Sequence, residues 1–144
     1  MNIPEINVSY SNENNCKVKI TNSQQTYKVA MDKWNQDTIE FQEEVKILLL
    51  NNSNIVLGMH ELSKGGGTSS IIDIKIVVSI ALKCNAFGVI LLHNHPSGGL
   101  KPSGADKNIT KRLKQACNYL DIQLIDHLII TKCGYFSFTD EKLL

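Results

Sequence analysis

Residues 87–106 read Phe87-Gly88-Val89-Ile90-Leu91-Leu92-His93-Asn94-His95-Pro96-Ser97-Gly98-Gly99-Leu100-Lys101-Pro102-Ser103-Gly104-Ala105-Asp106. The apolar run from Phe87 to Leu92 has the character of a buried strand. Pro96, Gly98, Gly99 and Pro102 suit a sharp bend after it. A helix then opens, with Ser103 and Asp106 at the S-x-x-D spacing of a capping box. Two imidazoles two residues apart at a strand end point to one side, because side chains alternate along a strand. Asp106, in the first turn of the helix, adds a hard oxygen. Two His and one carboxylate, with a fourth position left for water, form the ligand set of a hydrolytic zinc site. Ser103 lies one helical turn before Asp106 and can face the same point. Its hydroxyl is placed to donate to the oxyanion of a tetrahedral intermediate.

Working outward, Ile122 to Thr131 reads as a further strand, turning at Lys132-Cys133-Gly134 into Tyr135-Phe136-Ser137-Phe138. The helix after Ser103 carries Ile109, Leu113, Ala116, Cys117 and Leu120 as its core stripe. Upstream, Asp73 is the expected N-cap of a helix whose buried face is Ile74, Val77, Val78, Ala81 and Leu82. Gly65 to Ser70 has loop chemistry. Val45 to Leu50 and Ile55 to Met59 are apolar runs separated by Asn51-Asn52-Ser53-Asn54, which predicts a β-hairpin. Residues 23–43 contain a helix-compatible stretch. Lys17-Val18-Lys19-Ile20 alternates and suggests an exposed edge strand, open to a partner or to a second copy in a homodimer. Residues 1–15 are polar and rich in Asn. Strands and helices mix without strict βαβ alternation, so the fold class is α/β (mixed α+β), a sandwich of sheet and helices.

The chain has 144 residues and 42% hydrophobic residues. That suits one domain with a real core and argues against disorder. No apolar run approaches the roughly 20 residues needed to span a bilayer. Fifteen basic against 14 acidic residues give a net charge of +1, so no strong nucleic-acid binding is expected. Lys107, Lys111, Arg112 and Lys114 cluster locally and read as a solvated helix face. Cys16, Cys84, Cys117 and Cys133 form no C-x-x-C pair, and Cys84 and Cys117 read as small core residues. No signal peptide is apparent, so a cytoplasmic protein is expected.

With those residues placed, the pattern Glu61 … His93-x-His95 … Ser103-x-x-Asp106 resembles the JAMM motif of the JAB/MPN metalloprotease superfamily. His93-Asn94-His95-Pro96-Ser97-Gly98, Pro102-Ser103, Asp126-His127 and Tyr135-Phe136-Ser137-Phe138 are similar to its bacterial RadC-like branch. The resemblance runs from about residue 37 to the carboxyl terminus. It implies a cytidine-deaminase-like central mixed β-sheet flanked by helices over residues 37–144, with residues 1–36 as an extension. It implies one zinc per chain held by His93, His95 and Asp106, Glu61 as acid/base, Ser103 assisting the intermediate, and an unknown peptide or protein substrate. The extension is too short for the helix-hairpin-helix region common in RadC proteins. The segment Thr68 to Asp73 lacks the His-Pro-Arg string that many of them carry.

Two functions from different classes follow. The first is a zinc-dependent hydrolase of peptide or isopeptide bonds. The second is a non-catalytic DNA-repair or mobile-element module with a structural metal site. An HNH nuclease is excluded because that motif is spread over a ββα unit and is not a tripeptide. A zinc nucleobase deaminase needs H-x-E and P-C-x-x-C, and neither string is present. Asp126-His127 reads either as a pair supporting a ligand or as a strand His satisfied by a backbone carbonyl, and the second is preferred. His60 is expected to face away from Glu61.

Overall fold

The buried run at 88–94 becomes the middle of a sheet. In chain order the elements are α1 (Ser23–Lys33), β1 (Glu44–Leu50), β2 (Val56–Lys64), α2 (Ile74–Lys83), β3 (Gly88–Asn94), α3 (Gly104–Tyr119), β4 (Gln123–Thr131) and β5 (Gly134–Ser137). This computed structural model describes residues 1–13, 17–65 and 72–144. Cys16 and the loop expected over 66–70 lie outside the described residues.

The strands form one five-stranded sheet in the order β2-β1-β3-β4-β5. β1 is antiparallel to β2 and to β3, β3 and β4 are parallel, and β4 and β5 are antiparallel. A parallel pair needs a crossover, and α3 supplies it between β3 and β4. The result is an α/β fold with helices on both faces of a mixed sheet. Every residue of β1 and β3 is buried, as expected for strands covered on both sides. On one face Ile47, Leu49, Val89 and Leu91 pack against Val77 and Ala81 of α2 and Leu113 and Cys117 of α3. On the other, Leu48, Leu50, Ile90, Leu92, Leu128 and Ile130 pack with Ile20, Ala30 of α1, Trp34 and Ile39. His93 has the parity of Val89 and Leu91, so it looks toward α3.

Several expectations change. The helix-compatible stretch within 23–43 is α1, which ends at Lys33, where Trp34 takes an extended conformation. Asn35 then accepts from Asp37 N–H through its side chain and from Thr38 and Ile39 N–H through its carbonyl. Such local bonding favours a turn over a helix. β2 runs to Lys64 rather than stopping at Met59, because an edge strand needs no apolar alternation to hold its ladder. Lys17–Ile20 runs beside the β1–β2 turn, paired to it on one side. Val56 N–H bonds to Val18 O, Ile20 N–H bonds to Asn54 O, and Lys19 bridges Ile55. Leu82, Phe87 and Leu120 are exposed, and on α3 Thr110 is buried beside Leu113 and Cys117. Among the described residues no helix is long and apolar enough to cross a membrane.

Candidate metal centre

β3 ends at Asn94, and the chain turns back at once. Gly98 N–H bonds to His95 O at 2.9 Å, and Gly98 has φ +82, a conformation that L side chains rarely adopt. α3 begins with a complete capping box. Asp106 N–H donates to Ser103 Oγ at 3.0 Å, and Ser103 N–H donates to Asp106 Oδ2 at 2.8 Å. One strand end and one helix start therefore face each other across a short loop.

His93, His95 and Asp106 meet there. The Nε2 atoms of His93 and His95 lie 3.0 Å apart. His93 Nε2 is 3.4 Å from Asp106 Oδ1, and His95 Nε2 is 3.4 Å from Asp106 Oδ2. A tetrahedral ion with bonds of 2.0–2.1 Å spaces its donors by about 3.3 Å, so the spacing fits a metal. The other ring nitrogens agree. His95 Nδ1 lies 2.8 Å from Gly99 O, a partner that can only accept, so Nδ1 carries the proton and Nε2 presents a lone pair. Such a lone pair, 3.0 Å from His93 Nε2 and beside a carboxylate, suits a shared cation. The cluster could thus hold a metal ion, the only such group of three among the described residues. His93 is buried, while His95 and Asp106 are half-buried and leave an approach from solvent.

The electrostatics match. Burial works to raise the Asp106 carboxyl, but its interactions with the neighbouring His93 and His95 rings outweigh that and hold the group far below its ordinary value. The Asp106 hydrogen bond raises His95 above the usual imidazole range against the effect of burial. Ser103 is exposed, and its Oγ serves as an acceptor in the cap.

The carboxylate taken from the sequence pattern is elsewhere. Glu61 pairs across the ladder with Lys46, and its oxygens bind Lys46 and Lys64, each at 3.4 Å. Lys46 lies over the Trp34 ring at 5.0 Å, so Glu61 stands on the α1 face, through the sheet from His93. Its own parity turns it away. His60, one residue earlier, pairs with Ile47 and is exposed.

A different acid reaches the centre. Val45 pairs with His93, and Glu43, two residues before Val45, lies near enough for the charges of His93, His95 and Asp106 to act on its carboxyl. Burial raises the Glu43 carboxyl; the fields of His93 and His95 act against that rise, and that of Asp106 adds to it. Asn94 secures this segment from below. Its side chain is fully buried, accepts from Glu44 N–H at 2.6 Å, and donates to Ile39 O at 2.7 Å and Gln42 O at 2.8 Å. Glu43 shares the parity of Val45, Ile47 and Leu49, but only the β1–β3 register says that this parity faces the imidazoles.

Comparison with known proteins agrees with this geometry. A family model described as the RadC-like JAB domain matches residues 20–143, so α1 falls inside the match. A UPF0758 protein of Flavobacterium johnsoniae is 52% identical over 101 residues, covering 70% of this chain and 44% of that protein. UPF0758 proteins of Thermotoga maritima and Porphyromonas gingivalis are 41% and 44% identical over 114 and 104 residues, covering 78% and 72% of this chain and 51% and 46% of theirs. The chain thus spans about half the length of the curated relatives it matches.

Proposed function

The chain belongs to the RadC-like JAB domain family, and from that premise we propose that it is a zinc-dependent hydrolase of peptide or isopeptide bonds. The observation that carries this reading is the meeting of three potential ligand atoms with a separate carboxylate, Glu43, whose charge is coupled to all three residues. A zinc ion held by His93, His95 and Asp106 would supply a Lewis acid that polarises a carbonyl and lowers the pKa of water. Glu43 takes the proton of the attacking water. A carboxyl raised by burial holds that proton long enough to pass it to the leaving amine. Ser103 donates its hydroxyl hydrogen to the oxyanion. Asp106 is anchored by Ser103 N–H, so the cap that starts α3 also orients the ligand. Glu61, held by two lysines on the far face, takes no part.

Zinc content and turnover test this together. The wild type should carry about one zinc per chain, and His95→Ala should lose it. Hydrolysis is read by mass spectrometry on a peptide library that includes isopeptide-linked substrates. Glu43→Gln should keep zinc and lose turnover by about 10²–10⁴-fold, while Glu61→Gln keeps both. A Glu43→Gln protein that cleaves at the wild-type rate, or a wild type that takes up no zinc, would overturn the proposal.

A further inference from the structure

His93 is the most buried of the three ligands, 2% exposed. Its inner nitrogen, Nδ1, lies 2.7 Å from Nε2 of His127. His127 sits on β4 directly across from Leu91 and has no exposure at all. Its other nitrogen, Nδ1, lies 2.6 Å from Thr110 Oγ1 on α3. Thr110 in turn donates its hydroxyl to the carbonyl of Asp106, also at 2.6 Å. Phe138 lies flat against the His127 ring, with centroids 4.5 Å apart and planes 10° apart. The expectation that His127 is satisfied by a backbone carbonyl is therefore replaced by a chain of side chains.

That chain has one direction. Thr110 has a single hydroxyl hydrogen and gives it to Asp106 O, so its oxygen can only accept from His127 Nδ1–H. A neutral His127 then has a lone pair at Nε2, which can only accept from His93 Nδ1–H. His93 is left with a bare Nε2, aimed at His95 and Asp106. The chain both begins and ends at ligands: it starts at the backbone of Asp106 and finishes at the ring of His93. A buried carboxylate in the place of His127 would do the same work for His93 but would bring a second negative charge into a dry site. A neutral imidazole avoids that.

We propose that Thr110 and His127 form a directional relay that holds His93 as an Nε2 donor, which makes His127 a positioning residue for metal uptake. The relay rests on the metal-binding reading above, and it extends that reading from the three ligands to β4 and the second turn of α3. Partners of this kind fix a ligand's tautomer and orientation, and their loss costs about 10–100-fold in metal affinity.

The test uses the whole chain, with zinc affinity measured by competition against a chromophoric chelator and imidazole tautomers read by ¹⁵N NMR in the metal-free protein. The wild type should show His93 protonated at Nδ1. His127→Phe keeps the stacking on Phe138 but offers no acceptor, and should bind zinc about 10–100-fold more weakly. His127→Gln offers an amide oxygen and should recover most of that loss. Thr110→Val should weaken binding less than His127→Phe, and the double variant should be no weaker than His127→Phe, because links in series do not add. Wild-type affinity in His127→Phe, or a wild-type His93 protonated at Nε2 alone, would sink the relay. If His127→Phe does not fold, Thr110→Val decides: unchanged affinity with an unchanged His93 tautomer also sinks it. A wild type without zinc defeats the hydrolase, whereas the metal-free tautomer judges the relay by itself.

Discussion

Asp126 and His127 are neighbours in the chain and opposites in the fold. His127 looks toward α3 and the ligands. Asp126, across from Ile90, looks toward α1. There its carboxylate accepts from the Ser137 hydroxyl and from Thr139 and His127 N–H, tying β4 to the chain end beyond β5. Burial raises Asp126 above the ordinary carboxyl range, against those three donors. A raised folded value means that the folded state binds its proton more tightly than the unfolded chain does. The stability contributed is complete below about pH 4, the unfolded value, and is lost as pH rises through the folded one. Asp126→Asn should therefore be at its greatest disadvantage near pH 4, and the gap to the wild type should narrow toward pH 7. Urea midpoints across that range check this; a gap that widens with pH would contradict it.

At the scale of elements, two irregularities place the site. The first is in β4, where the pairing shifts between Val89 and Ile90: Leu124 faces Val89, and Asp126 faces Ile90. One extra residue, Ile125, reverses the parity. Strict alternation from Leu124 would aim Asp126 at the ligands and His127 away from them; the bulge exchanges the two. The second is the entry to β1, where Asn94 takes up the backbone of residues 39–44 with three hydrogen bonds. Removing them exposes no water-filled route to replace them, because Asn94 is fully buried. Asn94→Ala should cost about 3 kcal/mol, near 1 kcal/mol for each lost bond, read as a shifted denaturant midpoint. It should also loosen Glu43, so turnover falls while zinc stays bound. A variant that loses zinc in parallel with activity would assign Asn94 to the ligands instead.

For the whole molecule, the charge balance and the two-sided core set the limits. Lys107, Lys111, Arg112 and Lys114 are exposed on α3, and a net charge of +1 leads us to expect only weak duplex binding. Duplex DNA should bind with Kd no tighter than about 10⁻⁵ M at physiological salt and weaken further as salt rises. Nanomolar anisotropy titrations would instead favour a nucleic-acid module. Much of this architecture is legible in the chain itself. The apolar runs that became β1 and β3, the Asp73 and Ser103 caps, and the H-x-H and S-x-x-D spacings are all local patterns, and local sterics and hydrogen bonding decide them without help from distant residues. The ligand trio belongs with them, because one strand end and the next helix start carry all three. Glu43, Thr110 and His127 do not. Each reaches the centre from another element, through the β1–β3 register, the seating of α3 on the sheet, and a bulge in β4. A shift of one residue in any ladder turns a side chain to the opposite face. That choice is made by packing between elements far apart in the chain, so the candidate metal ligands are written in the sequence, while the groups around them are selected only when the sheet assembles.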